Sequence, residues 1–200
     1  MEATISKKPQ MYSYKAYTEE VISLFDKGLV SGDVQSEALL QTTEMNLHRM
    51  KRHDAKTKLS DEIIALDATL KRKLSWYVLI EGWCADGSQN LPIIAKMADA
   101  FSNIELKIMF RDENPEIMNQ YLTNGGKAVP KLICFDSETN EELGTWGPRP
   151  MAIQEKVVAY KETHPEMDKN DFAANLHKWY AKDKSKSIQS EFVELIKNWR

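Results

Sequence analysis

Five consecutive apolar residues, Trp76-Tyr77-Val78-Leu79-Ile80, constrain this chain more than any other feature. A strand with one wet face alternates apolar and polar residues, whereas an unbroken β-prone run demands cover on both faces. Such a strand belongs inside a layered α/β unit. The residues around it supply the rest of that unit. Asn90 to Phe101 reads as a helix and Ile104 to Phe110 as a second strand. Asn114 to Leu122 reads as a helix with Pro115 in its first turn, ended by Gly125-Gly126. Val129 to Phe135 and Glu142 to Trp146 read as strands joined by the polar turn Asp136 to Glu141, and Pro150 to Glu162 as a closing helix. The order β-α-β-α-β-β-α, a crossover pair followed by a hairpin, predicts a mixed central sheet with helices on both faces. The expected spatial order is second, first, third, fourth strand.

This unit occupies residues 74–163 and leaves helical extensions at 1–73 and 164–200. In the first, Tyr17, Val21, Leu24 and Phe25 recur at helical spacing up to Gly28. A second helix carries Leu39, Leu40, Met45 and Leu47 into the basic stretch His48 to Lys58. A third opens at Ser60, with Asp61 and Glu62 in its first turn. Asp171 to Lys182 and Ile188 to Trp199 read as the helices of the second extension.

The chemistry concentrates in Glu81-Gly-Trp-Cys-Ala-Asp-Gly-Ser-Gln-Asn-Leu-Pro92, which follows the core strand and opens a helix. Cys84 therefore stands at a helix N-terminus, where unpaired amides and the macrodipole favour a thiolate. Asp86 opposes that charge, so the expectation is a modest depression of the thiol pKa. Asp86 itself reads as a first-turn carboxylate or as a proton acceptor near the sulfur. Ser88 reads as an ordinary helix hydroxyl, Cys134 as a buried structural thiol, and Arg149, between two prolines, as a solvated loop arginine.

These residues resemble the thioredoxin superfamily, and in particular its bacterial members with a Trp-Cys-x-Asp segment and a helical N-terminal extension. The strand and helix order is that family's core. Pro92, eight residues after Cys84, matches the proline that kinks the family's first helix, and Val129-Pro130 falls where the family carries a cis-proline beside the cysteine. Gly147 falls where it commonly has a glycine near the site. The resemblance implies a thioredoxin-like fold, Cys84 as the catalytic thiol, and Trp83, Val129 and Pro130 as substrate contacts, with Asp86, Ser88 and Gly147 in support.

Two departures matter. The second cysteine of the family's CxxC is Gly87 here, and the buried acid six residues before the first cysteine is Val78. A lone thiolate can form a mixed disulfide but cannot resolve it by intramolecular attack. Two functions follow. The preferred one is a thiol-disulfide oxidoreductase acting through one cysteine, with a protein or small disulfide as substrate and an external thiol as resolver. The other is a redox-inactive module that binds a protein through the same groove.

Composition narrows the remaining choices. With 42% hydrophobic residues, 28% charged residues and a net charge of -3, the chain is expected to be a soluble globular protein that binds neither nucleic acid nor membrane. No apolar stretch in Met1 to Glu20 reads as a signal peptide, so the cytoplasm is the expected location. There the two cysteines would stay reduced. The histidines 48, 53, 164 and 177 make no metal pattern, and no cofactor is implied.

Overall fold

The computed structural model describes residues 9–200; Met1 to Lys8, part of the stretch read as leader-free, lies outside the described residues. Three helices come first, α1 (Tyr14–Asp26), α2 (Glu37–Lys56) and α3 (Asp61–Leu66). Each starts on a serine, Ser13, Ser36 or Ser60, whose hydroxyl accepts a hydrogen bond from a first-turn amide. Then follow β1 (Leu74–Ile80), α4 (Ala85–Ala100), β2 (Ile104–Phe110), α5 (Pro115–Met118), β3 (Lys131–Asp136) and β4 (Glu142–Trp146). The chain ends in α6 (Met151–Thr163), α7 (Lys169–Asp183) and α8 (Lys186–Trp199).

The sheet order is β2-β1-β3-β4, as expected. β1 runs parallel to β2 and antiparallel to β3, and β4 is antiparallel to β3 with an irregularity between Cys134 and Phe135. Six of the seven β1 residues are buried, which is what its unbroken apolar run requires. Trp76 is the largest of them. It meets Phe192 and Trp199 edge-on at centroid distances of 5.3 and 6.1 Å, so α8 seals that part of the sheet. Ile188, Phe192, Ile196 and Trp199 repeat at helical spacing along α8, and all are buried. At the other end Tyr12 and Tyr17 pack on Phe110 of β2. The core thus draws on residues from Tyr17 to Trp199, and a smaller apolar cluster of Ile153, Val157, Leu176 and Tyr180 joins α6 to α7.

Two elements differ from their sequence reading. The helix expected over Asn114 to Leu122 stops at Met118, because the chain turns back through Thr123 and Asn124, the latter at φ 50°. The helix expected from Asn90 begins at Ala85 and passes through Pro92, whose missing N–H falls within its first two or three turns. Among the described residues no helix is long and apolar enough to cross a membrane.

Candidate functional site

Cys84 is the N-cap of α4, in extended backbone conformation. Its sulfur accepts a hydrogen bond from the Gly87 N–H at 3.3 Å and donates its own proton to the carbonyl of Val129 at 3.1 Å. The Val129–Pro130 bond is cis, as is Gly147–Pro148. Gly147 packs so tightly on Pro130 that a Cβ there would overlap the Pro130 carbonyl oxygen. One spot therefore gathers Cys84, Val129, Pro130 and Gly147, from three loops far apart in sequence.

The thiol's chemistry differs from the sequence expectation of a modest depression. Cys84 is only 6% exposed. Burial pushes its pKa up to about 12, and the Asp86 carboxylate adds to the rise. The amides of Gly87 and Asp86 and the Arg149 guanidinium pull the other way without prevailing. Desolvation outweighs the helix terminus, so the resting sulfur is a thiol.

Asp86 and Arg149 also correct their sequence readings. Arg149 is not a solvated loop residue. Its Nη2 and Nε grip the two Asp86 oxygens at 2.6 and 3.1 Å, a bidentate pair between largely buried groups. Tyr180, from α7, donates its hydroxyl to Asp86 Oδ1 at 2.6 Å, and Asn90 donates to that hydroxyl at 2.9 Å. Asp86 is thus neither a free first-turn carboxylate nor an open proton acceptor. It clamps the β4–α6 loop and α7 onto the start of α4. Ser88 donates to the Ala85 carbonyl at 2.8 Å, an ordinary helix hydroxyl.

Trp83 is half-buried and held from both sides. Its indole N–H donates to the Ser31 carbonyl at 3.0 Å, and the Arg111 guanidinium lies 4.9 Å from the ring centroid. The loop before it is wired to the N-terminal helices. Ser31 Oγ accepts from the Gly82 N–H at 2.9 Å, and Asn46 donates to the Gly82 carbonyl at 3.0 Å. Glu81, 1% exposed, accepts the Asp112 N–H through Oε1, while its Oε2 has no partner among the described residues. None of Ser31, Asn46, Arg149 or Tyr180 is close to Cys84 in sequence. The only local hint was Arg149, set between two prolines directly after Gly147.

Cys134 is fully buried on β3, opposite Trp76 of β1 and Gly144 of β4, and both cysteines are free. Among the described residues no group of three or more His, Cys, Asp or Glu side chains is placed to hold a metal ion.

A sequence model of the thioredoxin family matches residues 32–168, more than half of the chain. The protein belongs to the thioredoxin family. Two solved structures share this thioredoxin fold over nearly their whole length. One is the crystal structure of a protein of unknown function from Pseudomonas aeruginosa, 17% identical, with a TM-score of 0.56 over 95% of this chain and 100% of that one. The other is the crystal structure of an HIV epitope scaffold, 18% identical, with a TM-score of 0.54 over 93% of this chain and 98% of that one. A search of curated sequences finds no match. As a thioredoxin-family member the chain retains the cysteine at the helix start and the neighbouring cis-proline, and it carries Gly87 where CxxC members have their second thiol.

Two buried titratable groups near the site give this protein a testable pH signature. Glu81 is raised from 4.5 to about 7, first by burial. Its contribution to stability is fully present below pH 4.5 and is lost as pH rises through 7. His177 is lowered from 6.5 to about 4, again by burial first. Its contribution is present above pH 6.5 and is lost as pH falls through 4. Between these limits the two slopes oppose, so thermal melts of the parent should change little with pH. Glu81→Gln should leave a melting temperature that falls from pH 6.5 to 4.5, and His177→Gln one that rises. Superimposable curves for all three proteins would show that neither group is held as described.

Proposed function

We propose that the protein exchanges disulfides through the single thiol of Cys84. The observation that carries this reading is the placement of Cys84 Sγ, between the Gly87 amide and the Val129 carbonyl ahead of cis-Pro130. The first step converts Cys84–SH and a substrate RS–SR′ into Cys84–S–SR and R′SH, the thiol proton ending on the leaving sulfur. An external thiol R″SH then attacks the mixed disulfide, releasing RS–SR″ and restoring Cys84–SH. No net oxidation of the protein occurs. A substrate strand that donates its own N–H to the Val129 carbonyl would displace the thiol from that acceptor. The Gly87 amide would then be left to stabilise the sulfur as it loses its proton. Substrate binding and thiol activation are thereby one event.

The closed, protonated thiol also favours a second reading, a groove that binds a protein without chemistry. Alkylation and trapping separate the two. In the native protein Cys84 should react slowly with iodoacetamide at pH 7, and Cys134 more slowly still until the chain unfolds. Incubation with an excess of a small aromatic disulfide should give one mixed disulfide, mapped to Cys84 by mass spectrometry and reversed by added thiol. Cys84→Ser should form none. Absence of any adduct in the parent at alkaline pH would leave the binding module as the function.

A further inference from the structure

A polar seam joins α2 to α7 by way of α4. Gln89 of α4, itself buried, bridges its two sides. Its Oε1 lies 2.8 Å from His53 Nε2, and its Nε2 lies 2.9 Å from His177 Nδ1. With the Gln89 amide so placed, both tautomers follow. His53 donates through Nε2 and accepts from the Thr57 hydroxyl at Nδ1, 3.0 Å away. His177 accepts at Nδ1 and therefore carries its proton on Nε2, which has no partner among the described residues.

Arg49 and Arg52 stand on the α2 side of the seam. Arg49 is half-buried; Nη1 donates to Asn46 Oδ1 at 2.9 Å, and Nη2 makes a long contact of 4.0 Å with Met45 Sδ. Arg52 follows three residues on, one helical turn away. Among the described residues neither arginine makes an ion pair. The nearest acid in sequence, Asp54, accepts instead from the Tyr14 hydroxyl at 2.9 and 3.2 Å. The two positive charges bear on each other and on His177: burial lowers Arg49 first and Arg52 adds to it, and both arginines add to the burial that lowers His177. Like charges gathered this way, with the Arg52 guanidinium and an imidazole N–H left over, match the requirements of an oxyanion.

We infer that Arg49, Arg52 and His177 form a binding site for a small oxyanion of phosphate size and charge. The site stands independently of the chemistry at Cys84, yet it is wired to the same loop. Asn46, which steadies Arg49, also donates to the carbonyl of Gly82, two residues before Cys84. The oxyanion would sit on the outer side of the α2–α4 contact and draw α7 toward α2.

The test is a titration of the full chain with inorganic phosphate at constant ionic strength, with chloride as the balancing ion, following the imidazole resonances by NMR. His177 should shift saturably, while His48 and His164 stay put. Arg52→Gln, a change to an exposed side chain, should weaken the apparent affinity about tenfold, the loss of one charge-assisted contact. Arg49→Gln combined with Arg52→Gln should abolish saturation in a protein whose circular dichroism is unchanged. Three results would overturn the site. They are equal shifts at all four histidines, a saturable shift that survives both substitutions, and no saturable shift in the parent.

Discussion

Replacing Gly87 with Cys, together with Ile80→Val, is expected to turn this protein into a dithiol reductase. A Cβ built at Gly87 lies 3.2 Å from Cys84 Cβ, within a few tenths of an ångström of the 3.5–4.5 Å typical of disulfides. It also lies 2.6 Å from Ile80 Cδ1, so the single substitution overpacks the core and should cost about 1–3 kcal/mol. Shortening Ile80 to Val removes Cδ1 and leaves only Cγ1, at 3.0 Å, to give by a few tenths of an ångström. The double variant should then hold an 84–87 disulfide in a glutathione buffer and reduce insulin steadily, while the parent stays at background. Failure to form that bond would mean the sulfur does not face the first turn of α4. A bond without turnover would locate the limit in substrate access and favour the binding module. Robust insulin reduction by the parent would require Cys134 to reach Cys84, against its full burial on β3 beside Trp76.

Gly147→Ala should be the most damaging single methyl group that can be added near the site. The backbone there has φ of 115°, which L side chains rarely adopt, and the new methyl would overlap the backbone oxygen of Pro130 rather than a movable side chain. Strain and overpacking each cost about 1–3 kcal/mol, so a loss of about 3 kcal/mol or more is expected in urea denaturation. Disulfide exchange at Cys84 should fall with it, because Val129 and Pro130 must move to make room. A loss below about 1 kcal/mol would show that the two loops do not abut.

The parts of the fold that a local pattern dictates were legible in the sequence. The apolar run Trp76–Ile80 announced an interior strand, the hairpin after Asp136 announced an antiparallel pair, and Ser60 announced a helix start. The cysteine after the core strand pointed to the candidate site by its place at a helix start, and the family resemblance added Val129-Pro130. What the sequence hid depends on partners distant along the chain. Asp86 and Arg149 are 63 residues apart and Asp86 and Tyr180 are 94 apart, so nothing near either end of those bonds hints at the other. The thiol pKa went astray for the same reason. The helix terminus is a local feature, whereas the burial that overrides it comes from tertiary packing. Helix α5 fell short because the chain turns back at Asn124, which outweighs helix propensity there.

The corner between α7 and α8 carries a mechanical consequence. Lys184 and Ser185 both adopt left-handed backbone angles, φ 54° and 62°, and no flexible spacer separates the two helices. Helix α8 is anchored under Trp76, and α7 is fastened through Tyr180 to Asp86, two residues from Cys84. A joint without slack makes the pair a bell crank. Pulling α7 off Asp86 must either unwind that corner or lever α8 against the floor of the sheet. Force applied at the C-terminus is thereby delivered to the first turn of α4, where Cys84 sits.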